Sequence, residues 1–128
     1  MTLEKNRCAL LVEDEPLVAL VAMDALAELG FQVLEAGSAA QALELAEDHK
    51  DRIDVALVDL GLPDLPGETL VTKLRSLYPQ LPIIVASGRG ASSFDDALQS
   101  LQLIILPKPY DFEELRQAID GLERHAAR

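Results

Sequence analysis

The chain has 128 residues, with 22 acidic against 11 basic side chains and a net charge of −11, a length that fits one domain. Hydrophobic residues make up 49% and aromatic ones only 4%, so aliphatic side chains must fill the core. The acidic balance argues against a nucleic-acid surface, no run approaches the roughly 20 apolar residues of a membrane span, and the polar Met1–Arg7 start is no signal segment, so the expected location is the cytoplasm.

Strand-type and helix-type patterns alternate along the chain. Cys8–Val12 is an apolar strand, and a helix is predicted over Pro16–Leu29, with proline at its start and Gly30 just past its end. Cys8, the single cysteine, reads there as a small buried hydrophobe rather than a reactive thiol. Gln32–Ala36 is the second strand, and Ser38 caps a helix running to about His49. Val55–Asp59 has the continuous apolar character of a strand buried on both faces. The loop Leu60–Leu65 leads to a helix over Pro66–Tyr78. Ile83–Ser87 is the fourth strand, followed by a weaker helix from Ser92 or Ser93 to about Leu101. Gln102–Leu106 is the fifth, and Asp111 caps a final helix to about Arg124. The expectation is one α/β domain over residues 1–128, its core at about 8–124, built as an open, doubly wound five-stranded parallel sheet with helices on both faces. A closed eight-fold barrel would need about twice the residues.

The chemistry sits where these strands end. Glu13 and Asp14 follow the first strand, Asp59 ends the third, Ser87 ends the fourth and Lys108 follows the fifth. In a parallel sheet the carboxyl ends share one edge, and ligands bind there. Three carboxylates, a hydroxyl and an ammonium would meet in one pocket suited to a divalent metal and a phosphoryl group. Each residue also has a plain reading. Glu13 and Asp14 could start a loop that caps the first helix, Asp59 could be a cap, Ser87 a turn residue and Lys108 a solvated loop lysine. Asp59 resists its plain reading most, because an unpaired carboxylate beside a core is costly. The joint pattern resists all of them.

Five motifs carry a family likeness: Val12-Glu13-Asp14-Glu15-Pro16, Val58-Asp59-Leu60-Gly61-Leu62-Pro63, Pro66-Gly67, Ala86-Ser87-Gly88 and Lys108-Pro109-Tyr110. With them the chain resembles the receiver domains of bacterial two-component response regulators over residues 8–124. The resemblance implies a flavodoxin-like strand order 2-1-3-4-5 and a phosphoryl group accepted by Asp59 from a phosphohistidine. It implies that Glu13 and Asp14 hold Mg²⁺ or Mn²⁺ with Asp59 and the backbone carbonyl of Gly61, and binding is expected to depend on Asp14 and Asp59, with Glu13 in a weaker role, direct or through water. Ser87 would bond a phosphoryl oxygen, Lys108 would pair with the phosphoryl charge, and Lys108–Pro109 would be cis. The implied partner is a histidine kinase or a histidine phosphotransfer protein, without direct nucleic-acid or membrane contact; a homodimer stays open. Such a domain assists its own phosphorylation and dephosphorylation without being an enzyme. The chemistry is sound on its own terms, since a carboxylate is a competent nucleophile and phosphoryl transfer needs mainly positioning and charge neutralisation.

The chain departs from the family pattern in two places. Ile105 stands where the family often has an aromatic residue that rotates inward, and Gln99-Ser100-Leu101 replaces a usual Gly-Ala turn. Ile105 is expected to stay packed, with the conformational response arising in Ser87–Leu101 instead. The run Ala86-Ser87-Gly88-Arg89-Gly90 is similar to an atypical receiver group of alphaproteobacterial stress and cell-cycle signalling. On the first helix, Val18, Ala22, Ala25, Leu26 and Leu29 share one face. Leu20, Met23 and Ala27, with Asp24, form the other, which reads either as a docking stripe for a partner helix pair or as scattered surface apolar residues.

Three rival functions fit less well. An aspartyl-nucleophile phosphatase would carry a second Asp two residues after the nucleophile, where Gly61 stands. A flavin or nucleotide module would need a Gly/Ser/Thr-rich loop after the first strand, where Glu13-Asp14-Glu15 would repel a phosphate. A non-phosphorylated pseudo-receiver is disfavoured by the presence of the aspartate, the acidic pair and the lysine together.

Overall fold

Three strands are buried almost end to end: β1 (Arg7–Val12), β3 (Val55–Asp59) and β4 (Ile83–Ser87). All three lie inside a sheet covered on its two faces, which is why none alternates apolar with polar residues. The computed structural model describes residues 7–88 and 103–126. β1 pairs in parallel with β2 (Phe31–Ala36) and with β3. β3 pairs with β4, and β4 with β5 (Leu103–Pro107). The five-stranded order is β2-β1-β3-β4-β5, as expected. The described helices are α1 (Pro16–Glu28), α2 (Ala39–Asp48), α3 (Gly67–Leu77) and α4 (Phe112–Ala126). The helix predicted before β5 lies outside the described residues. None of the described helices is long and apolar enough to cross a membrane.

Strand residues divide between two cores by parity. Ala9, Leu11, Leu57 and Ile84 pack with Ala22 and Leu26 of α1 and with Leu115 of α4. Leu10, Val12, Val58 and Val85 pack on the opposite face with the alanines of α2 and with Leu70 and Leu74 of α3. Helices therefore cover both faces, and the sheet is doubly wound. The buried face of α1 is Ala19, Ala22, Ala25 and Leu26. Met23, read from the sequence as part of the open face, packs against the core instead. It lies four residues after Ala19 and three before Leu26, so it borders the buried stripe. The open face is carried by Leu17, Leu20 and Val21.

Local chemistry sets the helix ends. Pro16 opens α1, and Gly30, at φ 96°, follows its end. The Ser38 hydroxyl accepts from the Gln41 N–H at 3.2 Å. Asp111 and Glu114 exchange bonds at 2.8 and 3.0 Å, a reciprocal cap for α4.

The loop between β3 and α3 closes on itself through the Gly67 N–H, which donates to the Leu60 carbonyl at 3.1 Å. A Cβ on Gly67 would stand 2.4 Å from Leu60 Cα and 3.0 Å from the Asp59 carbonyl oxygen. Backbone on both sides leaves nothing flexible to yield. Gly67→Ala should cost about 1–3 kcal/mol in urea denaturation. Gly37→Ala, whose added methyl meets only the Gln41 side-chain oxygen at 3.8 Å, should stay within about 0.5 kcal/mol of wild type.

Candidate functional site

The strand ladders continue one step past the strands and so level the loops that follow them. Glu13 donates its N–H to the Ala36 carbonyl at 2.9 Å, Leu60 to Ala86 at 3.2 Å and Lys108 to Ser87 at 2.9 Å. Asp59 lies opposite Ala86, and Ser87 opposite Pro107. All six residues singled out in the sequence therefore reach the same edge of the sheet: Glu13, Asp14, Asp59, Gly61, Ser87 and Lys108. Lys108–Pro109 is cis, in line with the resemblance.

Lys108 Nζ stands 2.9 Å from Asp59 Oδ1 and 3.6 Å from Glu13 Oε1. Glu13 Oε2 accepts the Glu15 N–H at 3.2 Å. Glu13, Asp59 and Ser87 retain only 3, 5 and 3% exposure, although all three are polar. Asp14 is exposed. One carboxylate oxygen each from Glu13, Asp14 and Asp59 lies within 4.8 Å of the others. A Cβ on Gly61 would be 3.7 Å from Asp59 Oδ2, so the loop backbone runs close beside the aspartate. The cleft above them, about 480 Å³, is lined by Asp14, Glu15, Asp59, Glu68, Ser87 and Lys108, among others.

The electrostatics show a shortage of positive charge. Burial pushes the Glu13 carboxyl up, helped by the Asp59 and Asp14 charges and opposed by the Glu15 N–H and by Lys108. Burial alone would lower Lys108, but the hydrogen bond and charge of Asp59, with the charges of Glu13 and Glu15, outweigh it and raise the ammonium. Tyr110 is pushed up to about 12 by burial and by the same two carboxylates, Glu13 and Asp59. One ammonium thus serves several carboxylates. Clustered oxygen donors with one exposed member suit a hard divalent cation that keeps part of its water shell.

Sequence reasoning passed over three residues here. Glu15 and Glu68 line the cleft, and their signals were adjacency to the acidic pair and to Gly67. Asp64, between Pro63 and Leu65, caps α2 from a distance. Ile105 lies opposite Val85 and packs, half-buried, against the α2/α3 core. Residues 89–102, which include most of the segment read as the responsive one, lie outside the described residues.

A doubly wound flavodoxin-like sheet with an acidic cluster and a lysine at its carboxyl edge defines a class of α/β ligand-binding domain. The chain belongs to the response regulator receiver domain family, whose family model matches residues 9–120. It is 32% identical over 118 residues to the sensor kinase CckA of Brucella abortus (strain 2308), covering 91% of this chain and 12% of the kinase. It is 39% identical over 114 residues to the sensor protein TorS of Escherichia coli (strain K12), covering 86% of this chain and 12% of that protein. The chain thus spans about an eighth of the length of either sensor protein. Its fold matches that in the CheX-CheY-BeF3-Mg complex from Borrelia burgdorferi with a TM-score of 0.85. That match covers 91% of this chain and 89% of the other at 18% identity. The chain is a receiver domain of two-component systems, and a phosphoacceptor role fits it.

The lysine's contribution can be isolated by a double-mutant cycle in urea, with chelator present. Lys108→Ala should destabilise the wild-type background by about 1–3 kcal/mol, because it strands two buried carboxylates. In an Asp59→Asn background the same change should cost clearly less. Equal costs in the two backgrounds would show that Lys108 acts through packing alone.

Proposed function

We propose that Asp59 accepts the phosphoryl group from a phosphohistidine on a histidine kinase or a histidine phosphotransfer protein, in a Mg²⁺- or Mn²⁺-dependent reaction in the cytoplasm. The observation that carries this reading is the buried Asp59 at the end of β3, held at 2.9 Å by Lys108 beside the oxygens of Glu13 and Asp14. An Asp59 carboxylate oxygen attacks phosphorus, the P–N bond breaks, and the imidazole leaves with the bonding pair. Lys108 then faces the new phosphoryl charge with the ammonium that previously faced the carboxylate. The Ser87 hydroxyl donates to a phosphoryl oxygen. A divalent cation would be held by Asp14, Asp59 and the Gly61 carbonyl, with Glu13 in a weaker role, and would supply charge neutralisation. We take residues 1–128 as one receiver unit that assists its own phosphorylation and dephosphorylation and is not an enzyme.

A partner can approach from α1. Leu17, Val18 and Val21 join Lys108, Pro109 and Tyr110 around an apolar hollow of about 460 Å³. Lys108 also lines the acidic cleft, so a helix seated in the hollow stands beside Asp59. Leu17, Leu20 and Val21 are exposed apolar side chains on that helix, a pattern that suits an amphipathic partner helix.

Incubation with acetyl phosphate and Mg²⁺, followed by intact mass measurement, tests the acceptor. Wild type should gain one phosphoryl group, Asp59→Asn none, and Ser87→Ala should still be modified. Stoichiometric modification of Asp59→Asn would assign the acceptor elsewhere. Rapid multiple turnover of acetyl phosphate would favour the phosphatase reading that Gly61 argues against.

Metal binding is tested by stability. At a Mg²⁺ concentration a hundred times its dissociation constant, the native state should gain about 2.7 kcal/mol. Asp14→Ala should lose most of that gain. An undiminished gain in Asp14→Ala would move the metal away from this cluster.

A further inference from the structure

The first N–H groups of a helix point out of its own hydrogen-bond ladder and need outside acceptors. At α2 the Gln41 N–H is taken by the Ser38 hydroxyl. The Ala39 and Ala40 N–H groups are taken by Asp64, which lies 25 and 24 residues further on, at 2.9 Å to Oδ1 and 3.0 Å to Oδ2. One carboxylate thus spans two N–H groups at the positive end of a helix, where a negative charge is favoured twice over. Those two N–H groups also hold the Asp64 carboxyl below its ordinary range.

Asp64 belongs to the loop that follows Asp59. The near end of that loop is fixed at Leu60, whose N–H donates to Ala86 at 3.2 Å and whose carbonyl accepts from Gly67 at 3.1 Å. Gly61 therefore stands between two anchors, Leu60 and Asp64. Pro63, with its fixed φ, directly precedes the second anchor and limits slack. The helix that Asp64 grips is itself fixed, with Ala39, Ala42 and Ala46 buried in the core. The last residue of β2, Ala36, stands just before that helix, and its carbonyl accepts the Glu13 N–H. The loop beside Asp59 and the loop of the acidic pair are thus braced on the two sides of the short β2–α2 connection.

We propose that Asp64 is a positioning residue of the phosphorylation pocket: by clamping the Leu60–Pro66 loop to the start of α2, it holds the Gly61 backbone in place as a cation ligand. The role rests on the reading of the Glu13–Asp14–Asp59 cluster, with Gly61, as the metal site. Its loss leaves every carboxylate at the cluster intact and removes only the geometry of one neutral donor.

The test compares Asp64→Ala, Asp64→Asn and Ser38→Ala. MgCl₂ binding is measured by calorimetry, and stability by urea denaturation in chelator. Ser38→Ala removes a cap from the same helix end without touching the loop, so it controls for destabilisation of α2. Asp64→Ala should weaken Mg²⁺ binding about tenfold or more. Asp64→Asn, which keeps one acceptor oxygen, should fall between, and Ser38→Ala should bind as wild type does. Unchanged Mg²⁺ affinity in Asp64→Ala, or equal weakening in Ser38→Ala, would overturn the clamp while leaving the metal site standing. A wild-type protein that takes up no Mg²⁺ would overturn the metal site, and the clamp with it.

Discussion

The pairing of one ammonium with two buried carboxylates is the constraint around which the carboxyl edge is arranged. Lys108 meets both Asp59 and Glu13, and each is nearly sealed from water. A buried charge is tolerable only when it is compensated. Asp59 closes β3, Glu13 follows β1 and Lys108 follows β5, so the contact unites three connections far apart in the chain. It forms only if the sheet order and register are both right. A shift of one residue in β3 would turn Asp59 toward the other face of the sheet. The charge pattern is thus a requirement on the fold as well as its product.

That dependence explains why so much could be read from the chain. Val55–Asp59 and Ile83–Ser87 appear as predicted because unbroken apolar runs bounded by polar loops have few alternatives in a sheet covered on both faces. The shared placement of the proposed residues followed, since each stands at a strand end or within two residues after one. Readings failed where the deciding contact is not local. β5 runs one residue later than expected, to Pro107, because its register is set by pairing with β4 and a proline is tolerated at a sheet edge. Met23 was misplaced because it borders the buried stripe, where a helical wheel alone does not decide. Asp64 looked like an ordinary loop aspartate, and only the approach of α2 gives it two backbone partners.

The acidic edge and the apolar flank of α1 meet at Lys108. Lys108 and Tyr110 contribute to the apolar hollow, while the Lys108 ammonium reaches the carboxylates. Long cationic side chains can do both, packing an apolar stem while the charged head stays in a polar site. A partner helix that fills the hollow excludes water next to the ammonium. The ion pair then sits in a lower dielectric and strengthens. On the proposed reading, docking and chemistry would be coupled through a single side chain.

Ile105 sets a limit on how a change at Asp59 can spread. It lies opposite Val85, two residues before Ser87, and packs into the core shared with α2 and α3. A β-branched side chain held by a strand backbone has few rotamers to exchange. A ring that swings between solvent and core stores two states in one side chain, and isoleucine does not. On that reading the moving element would be backbone, and at Gly88, directly after Ser87, an added Cβ would meet no atom of the described residues within 4 Å. A phosphoryl oxygen that recruits the Ser87 hydroxyl would draw on that freedom first. The response would begin at the end of β4, with β5 staying packed in place.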